Sequence, residues 1–522
     1  MSTWTRPLGG LIGQLEAAGM LRSVLTPGGM PPAAMPVSSV VLDSRAARPG
    51  ALFAAVPGQH VDGLEYAPQA AAAGAVAILA ERAAPGLLIP QVLVTAARPA
   101  LALAAAWLYD FPSLKLGVVG ITGTDGKTTT SYLVRSMLEA AGFRTGMVGT
   151  VDVVVAGASL GNAARATSPE APDLQGYLAA MVDGGDRFAV VESTSHGLAQ
   201  DRLASVAYDV GVLTNVTHEH LEFHGTLEAY RAAKRRLFEL LAVSAANPDK
   251  GWGKHAVLNL DDPIARDFTA AAHDAGATVI TYGADPAALI RPISVREDAG
   301  GLRISVATPR WQGDIALRLA GRFNVHNALA AVGVGEALDL DPQAVKAGLE
   351  SLERVPGRMQ RIDAGQPFHV IVDYAHTPES LAKVLDNLAP LAAAGGGGLV
   401  CVFGSAGDRD RLKRPMMGRV AAERCRVIVV TDEDPRTEDR VGILDQIAAG
   451  AEALGRRRGQ DLLVIPDRRE AIGRAIAMAA PGDVVVLCGK GHEKTIETAD
   501  GDVPWDEAGA ARDALEELGY SD

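Results

Sequence analysis

At 522 residues the chain is too long for one hydrophobic core, so two to four domains are expected. Its 48% hydrophobic and 21% charged residues fit a globular protein and exclude fibrous and disordered classes. A net charge of −13 excludes a global field that gathers nucleic acid or anionic membrane, so any polyanion must be held by local basic groups and helix N-termini. The start, Met-Ser-Thr-Trp-Thr-Arg-Pro, lacks the basic-then-apolar layout of a secretory signal. No apolar run reaches the roughly 18 residues of a membrane span, so a cytoplasmic chain without membrane insertion is expected.

From the start to about Ser113, short apolar runs at 40–42, 52–56, 76–79 and 92–95 alternate with Ala-rich helical stretches. Phe111-Pro112-Ser113 then breaks the chain. The next region has the rhythm of a parallel sheet covered by helices, with apolar runs at 116–121, 188–191, 208–213, 256–260 and 278–282. The first run feeds Gly120-Ile-Thr-Gly-Thr-Asp-Gly-Lys127-Thr-Thr-Thr130. A buried strand, a glycine-rich turn and a helix hold nucleotide phosphates: backbone N–H groups approach the oxygens, Lys127 supplies a point charge and Thr128 a hydroxyl for Mg²⁺. Five residues separate Gly120 from Gly126 where the generic loop has four, which points away from the common GTPase and ATPase loops.

Phe188-Ala-Val-Val-Glu192 ends a strand in a carboxylate. Beside a phosphate loop a metal ligand is the expected role, with helix capping the alternative. The cluster Thr217-His218-Glu219-His220 with His224 lacks the His-Glu-x-x-His spacing of a zinc site, so one His turned toward Mg²⁺ is expected and the others on the surface. Tyr230-Arg-Ala-Ala-Lys234-Arg-Arg reads alone as a basic stripe on a solvated helix. The stretch 290–319 alternates and is expected to append antiparallel strands to the sheet.

After Pro356-Gly357, apolar runs at 368–372, 398–403, 427–430, 462–465 and 484–487 again alternate with helices. Each ends in polar residues: Asp373-Tyr-Ala-His376, Gly404-Ser-Ala-Gly-Asp408, Thr431-Asp-Glu-Asp434, Asp467-Arg468 and Gly489-Lys-Gly-His-Glu493. Open α/β sheets bind ligands at such strand ends, which predicts a second substrate face. Cys401, Cys425 and Cys488 lie in or beside apolar runs and are expected to be buried small hydrophobes rather than disulfides or metal ligands.

Several of these motifs together resemble the Mur ligases, which build the peptide stem of peptidoglycan. They are Thr122-Gly-Thr-Asp-Gly-Lys-Thr-Thr129, Glu192-Ser-Thr-Ser-His196, Thr214-Asn-Val with Glu219-His220, and Ala232-Ala-Lys234. Leu258-Asn-Leu-Asp-Asp262, Gly321-Arg-Phe-Asn-Val-His-Asn327 and Asp373-Tyr-Ala-His-Thr-Pro378 complete the set, in the family's order over nearly the whole chain. The branch that adds the third stem residue is the most similar. That likeness rests on Leu42-Asp-Ser-Arg45 with Pro49-Gly-Ala-Leu-Phe53 and Gly58…Asp62-Gly63, on Gly404…Gly407-Asp-Arg-Asp410…Lys413-Arg-Pro415, and on Asp434-Pro-Arg436 with Gly489-Lys-Gly-His-Glu493. Folylpolyglutamate and cyanophycin synthetases share the middle region but not the amino-terminal pattern.

The resemblance implies an α/β chain of three domains. These are a UDP-MurNAc-binding domain over 1–113, an ATP-binding domain over 114–353 and a Rossmann-like amino-acid-binding domain over 354–522. The central one would be P-loop ATPase-like, with a mostly parallel sheet and appended antiparallel strands. It implies ATP contacts from Gly123, Thr124, Asp125, Gly126, Lys127, Thr128, Thr129, Asn324, His326, Arg358, Asp373 and His376. Lys127, Glu192, His220 and Lys234 would be catalytic, and Thr128, Glu192, His220 and the carbamate of Lys234 would surround Mg²⁺. The muramyl-dipeptide substrate would meet Leu42, Ser44, Arg45, Gln59, His60, Val61, Thr167, Ser168, Thr194, Gln200 and Arg202. Ala166 stands where Asn is usual and Thr194 where Ser is common.

The incoming amino acid would meet Arg409, Glu433, Asp434, Pro435, Arg436, Gly489 and Glu493. The implied activity is ATP-dependent ligation of a diamino acid to UDP-MurNAc-L-Ala-D-Glu by a monomer, in a pathway that supports cell shape and division. Members adding meso-diaminopimelate usually carry Asp-Asn-Pro-Arg, and here the residues are Glu433-Asp434-Pro435-Arg436. The retained Arg favours diaminopimelate. The Asp434 anion favours ornithine or lysine, unless it pairs with Arg436. Diaminopimelate is the first expectation. Two alternatives remain: a catalytically silent nucleotide-sugar-binding relative, against which Lys127, Glu192, His220 and Lys234 are all retained, and a ligase of the folylpolyglutamate or cyanophycin type.

Overall fold

The computed structural model describes residues 4–29, 31–58, 61–162, 166–217, 221–244, 250–298 and 301–521. They form two compact units. The first contains residues up to Val295 together with Ile304–Ile315 and Val325–Ser351; the second contains Arg296–Arg303, Ala316–Asn324 and the chain from Leu352 onward.

The first unit holds two major sheets. The amino-terminal one has the order Leu21–Leu25, Gln91–Val94, Ala77–Ala80, Ala51–Ala55, Ser39–Val41, parallel except for its first pair. All of Ala51–Ala55 is buried, and the Ala-rich helix Ala97–Leu108 is buried on most of its surface, as small side chains between layers permit. The larger sheet runs Ala158–Ser159, Val153–Val155, Thr145–Val148, Phe188–Glu192, Gly117–Thr122, Val210–Leu213, His255–Asn259, Thr278–Tyr282. Its strands are parallel from Thr145–Val148 to Thr278–Tyr282, and the short strands at the other edge are antiparallel.

The central strand is buried throughout. In its register Ile121 lies opposite Glu192 and Thr122 opposite Leu213, so the phosphate loop, Glu192 and Thr214 leave the sheet at one edge. Gly120 belongs to the packing of this strand. A Cβ there would lie 2.6 Å from the Tyr208 ring and 2.7 Å from Leu237. The extra residue in the motif therefore arises because its first glycine is inside the sheet, not in the loop.

The stretch 290–319 differs from expectation in one respect. It makes its own three-stranded sheet from Arg291–Asp298, Gly301–Ala307 and Gln312–Leu317, while the antiparallel strands on the central sheet are Val153–Val155 and Ala158–Ser159.

The second unit carries a six-stranded sheet of order Gln360–Ile362, His369–Asp373, Val484–Cys488, Leu399–Phe403, Val427–Val430, Leu462–Val464. Only its first pair is antiparallel. Hydrophobic clusters cover both faces, and Cys401, Cys425 and Cys488 are free and buried in one of them, as expected. Among the described residues no helix is long and apolar enough to cross a membrane.

Candidate active site

In the first unit, Gly123 and Gly126 adopt φ of 150° and 84°, the latter opening the helix Lys127–Ala140 with its free N–H groups toward the loop. A side chain at Gly123 would collide with Thr214 Oγ1 at 1.8 Å, and one at Gly126 with Asn327 Oδ1 at 2.3 Å. The loop is clamped from the neighbouring strand end: Thr124 N donates to Asn215 O (2.7 Å), Asp125 N to Asn215 Oδ1 (3.0 Å) and Thr214 Oγ1 to Asp125 O (2.7 Å). Lys127 Nζ curls back to Gly123 O (2.9 Å) and Thr124 O (2.8 Å), and Thr129 is buried on the first turn. A cradle of N–H groups with an ammonium beside it is an anion site.

Glu192 is fully buried at the next strand end, and it does not cap the following helix, which Thr194 caps. Its Oε2 accepts from Thr128 Oγ1 (3.0 Å) and Thr150 Oγ1 (2.9 Å), and its Oε1 from Thr150 N (3.1 Å). Among the described residues no basic side chain forms an ion pair with it. A buried carboxylate served only by neutral donors, with a loop hydroxyl on the same oxygen, suits a hard cation such as Mg²⁺. Lys234 is 1% exposed; its Nζ donates to Gly123 O at 2.6 Å and lies 4.3 Å from the centre of the Tyr230 ring. The stripe reading of this helix is thereby replaced. His220, with His218 and Glu219, lies outside the described residues, and among those described no cluster of three His, Cys, Asp or Glu side chains is arranged to hold a metal.

On the same side, Thr167 Oγ1 is 2.9 Å from Thr150 Oγ1. Ser168 Oγ donates to Glu192 O (2.9 Å), and Thr194 Oγ1 donates to Ser168 Oγ (3.0 Å). Arg202 donates to Ser168 O (2.9 Å) and approaches Glu170 (3.1 Å), while Gln200 is half-buried nearby in sequence. In the amino-terminal sheet Ser44 is buried against Gln69 (3.0 Å), Leu42 is half-buried, Val61 is exposed, and Arg45 projects with its guanidinium on Asp43 (2.7 Å). Gln59 and His60 lie outside the described residues. His326 Nε2 pairs with Asp261 (2.7 Å) in the first unit, whereas Asn324 groups with the second, its amide donating to Ala320 O (2.6 Å).

In the second unit Asp373 accepts from Met359 N (2.8 Å) and Ala375 N (2.9 Å), and burial pushes its carboxyl above the usual range. Burial pushes His376 down, with Lys413 adding to the effect. Arg358 stacks 4.8 Å over the Tyr374 ring. The pairing allowed for Asp434 and Arg436 is corrected here. Asp434 Oδ1 is bound by Lys490 Nζ at 2.7 Å and by Glu497 N at 2.8 Å, and Arg436 pairs instead with Glu497 at 2.8 Å. Lys490 is 1% exposed and also reaches Glu493 at 2.5 Å. Glu433 is buried beneath Gly489, and desolvation raises its carboxyl as it does that of Glu493. Pro435 is buried, and Arg409 is exposed.

Three domain descriptions match in succession: "Mur ligase family, catalytic domain" over 36–106, "Mur ligase middle domain" over 121–335 and "Mur ligase, glutamate ligase domain" over 357–491. The chain is 49% identical to a UDP-N-acetylmuramyl-tripeptide synthetase of Roseiflexus sp. (strain RS-1), over 96% of this chain and 99% of that one. The chain belongs to the Mur ligase family. A UDP-N-acetylmuramoyl-L-alanyl-D-glutamate–2,6-diaminopimelate ligase of Solibacter usitatus is 40% identical over 93% of this chain and 94% of that one. A solved structure of a ligase with the same name superposes with a TM-score of 0.66 at 31% identity, covering 94% and 97% of the two chains.

Among Mur ligase residues that sequence reasoning left out, Thr150, Tyr230, Lys490 and Arg468 stand closest to the candidate sites. Tyr230, Lys490 and Arg468 each sat inside a motif already singled out without being given a role, and Thr150 carried no signal. Glu438 was also missed. Its carboxylate takes Arg414 Nη1 (2.9 Å), Asp408 N (2.9 Å) and Arg411 Nε (3.2 Å), tying two strand-end loops together. Arg414 chiefly holds it down from 4.5 to about 2. A lowered carboxyl stabilises the fold above its ordinary range, and that contribution is lost as pH falls through the lowered value. Glu438→Gln is therefore expected to be less stable than the parent at neutral pH, with the difference shrinking between about 4.5 and 2 in urea titrations. A gap independent of pH would contradict this.

Proposed function

We propose that this Mur ligase joins a diamino acid to the D-Glu carboxylate of UDP-MurNAc-L-Ala-D-Glu, using ATP, in cytoplasmic peptidoglycan synthesis and as a monomer. The observation that carries the reading is the buried Glu192 carboxylate, shared by Thr128 of the phosphate loop and by Thr150, whose hydroxyl touches Thr167. Residues suited to nucleotide phosphates and residues suited to the dipeptide thus meet at one group. The boundaries 1–113, 114–353 and 354–522 are proposed for its domains, supported by the separate sheets and the three matched regions.

A carboxylate oxygen of D-Glu attacks the γ-phosphorus of ATP, ADP leaves, and an acyl phosphate forms. The neutral amine of the diamino acid then attacks the acyl carbon, the C–O bond to phosphate breaks, one N–H proton is lost to solvent and an amide remains. Lys127 and the N–H groups opening its helix hold the triphosphate and stabilise charge on its oxygens. Thr128, Glu192, His220 and the Lys234 carbamate would hold Mg²⁺, which supplies positive charge between a carboxylate and a triphosphate that otherwise repel. Arg202, anchored to Ser168 O, keeps a cation beside the hydroxyl row.

Diaminopimelate is the preferred third residue in this reading. Lys490 neutralises Asp434, so the anion that argued for ornithine or lysine is already matched within the protein. Phosphate release with ATP, UDP-MurNAc-L-Ala-D-Glu and each of the three amino acids is expected to be fastest with meso-diaminopimelate. A strong preference for ornithine or lysine rejects that choice, and no release with any of them rejects the ligase reading.

A further inference from the structure

We infer that Thr150 is a positioning residue that holds Glu192 toward Thr128 and turns the Thr167 hydroxyl so that its lone pairs face an N–H group of the acceptor substrate. The second half rests on the ligase reading; the first does not. Thr150 contacts Glu192 twice, through its N–H on Oε1 (3.1 Å) and its hydroxyl on Oε2 (2.9 Å). The preceding residue must be glycine for this approach, because a Cβ at Gly149 would lie 2.3 Å from Glu192 Oε1. Asn162 fixes the segment by donating to Gly149 O (2.9 Å), Thr150 O (3.2 Å) and Ala166 O (3.1 Å), which seats Thr150 beside Thr167.

Proton accounting then sets the direction of the chain. A hydroxyl has one proton to give and two lone pairs to offer. Thr150 gives its proton to the carboxylate, which can only accept. In the 2.9 Å contact between the two threonines, Thr167 must therefore be the donor. Its proton points inward, and its two lone pairs are left for a donor outside. Beside it Ser168 is saturated, giving its proton to Glu192 O and accepting from Thr194 N and Thr194 Oγ1, while Thr194, which also accepts from Gly197 N, keeps one lone pair. Hydroxyls with inward protons and unused lone pairs, Thr167 first and Thr194 second, recognise N–H groups such as the amides of a peptidyl substrate and disfavour a carboxylate at that point.

The test uses Thr150→Val, which keeps shape and backbone N–H but removes the hydroxyl, beside Thr150→Ser, which keeps it. Mn²⁺ binding in the presence of ADP is read by electron paramagnetic resonance, and UDP-MurNAc-L-Ala-D-Glu binding by calorimetry. Thr150→Val is expected to weaken both by about tenfold, the scale of one hydrogen bond to a charged group, and Thr150→Ser to restore them. Thr167→Val, one link further out, is expected to weaken dipeptide binding and leave Mn²⁺ binding unchanged. If Thr150→Val changes only the melting temperature, or Thr150→Ser is equally impaired, the inference fails. If Thr150→Val fails to fold, the Thr167→Val pattern decides the orientation and Thr150→Ser, unchanged in Mn²⁺ binding, the hold on Glu192; loss of Mn²⁺ binding in either serine or Thr167 variant overturns it. Absence of dipeptide binding by the parent chain, with Mn²⁺ binding still sensitive to Thr150, rejects the ligase reading while keeping the hold on Glu192.

Discussion

Lys234→Ala is expected to lower turnover by about 10²–10³-fold, and acetate or formate in the millimolar range is expected to recover part of it. The parent side chain is 1% exposed, held to Gly123 O at 2.6 Å and stacked on Tyr230. Only the neutral amine, with a free lone pair, adds to the carbon of CO2. Addition of that amine to CO2, with one N–H proton released to solvent, gives a carbamate, replacing a cation by one negative charge shared over two oxygens while leaving an N–H for Gly123 O. Alanine removes both the oxygens and the chain that carries them, and a small carboxylate can occupy the vacated volume. Phosphate release followed over a series of short carboxylic acids checks this. Unchanged turnover in the variant, or a loss that no acid relieves, would sink the carbamate role.

Glu507→Gln is expected to lower the stability of the second unit by about 3–5 kcal/mol, seen as a lower urea midpoint. Arg468 and Glu507 are 1% and 0% exposed and meet through two contacts, Nη2 to Oε1 at 2.5 Å and Nε to Oε2 at 2.9 Å. Trp505 Nε1 completes the carboxylate at 2.6 Å. Glutamine preserves the shape yet leaves a guanidinium buried without its counter-ion. The same guanidinium donates to Asp432 O and Cys488 O, both at 2.8 Å, at the strand ends that lead into Glu433-Asp434 and Gly489-Lys490. The KM for the diamino acid should therefore rise while the KM for ATP holds. A loss below about 1 kcal/mol would put the pair with ordinary surface bridges.

The parallel strands of both units were legible because strands covered on both faces read as unbroken apolar runs, as in Phe188–Glu192 and Val484–Cys488. Thr145–Val148 and the hairpin Thr495–Thr498 with Gly501–Pro504 were not, being short or rich in polar residues and glycine. The turn Gly123–Gly126 and the helix from Lys127 lie where the motif put them, but spacing alone cannot separate a turn glycine from one that admits a core ring, and Gly120 is of the second kind, packed against Tyr208. Lys234 looked solvated because a basic stretch carries no mark of which cation turns inward. The partner of Asp434 was invisible for a different reason. Lys490 is far away in the chain, and only the pairing of strand Val484–Cys488 into the sheet interior brings its loop alongside.

Arg468 grips main-chain oxygens, not side chains, at Asp432 and Cys488. Substitutions in the loops just beyond those two positions leave this main-chain grip in place. A lineage could therefore change the residue it incorporates by altering loop side chains alone, while Arg468 and Glu507 remain under constraint as the fixed frame on which that drift occurs.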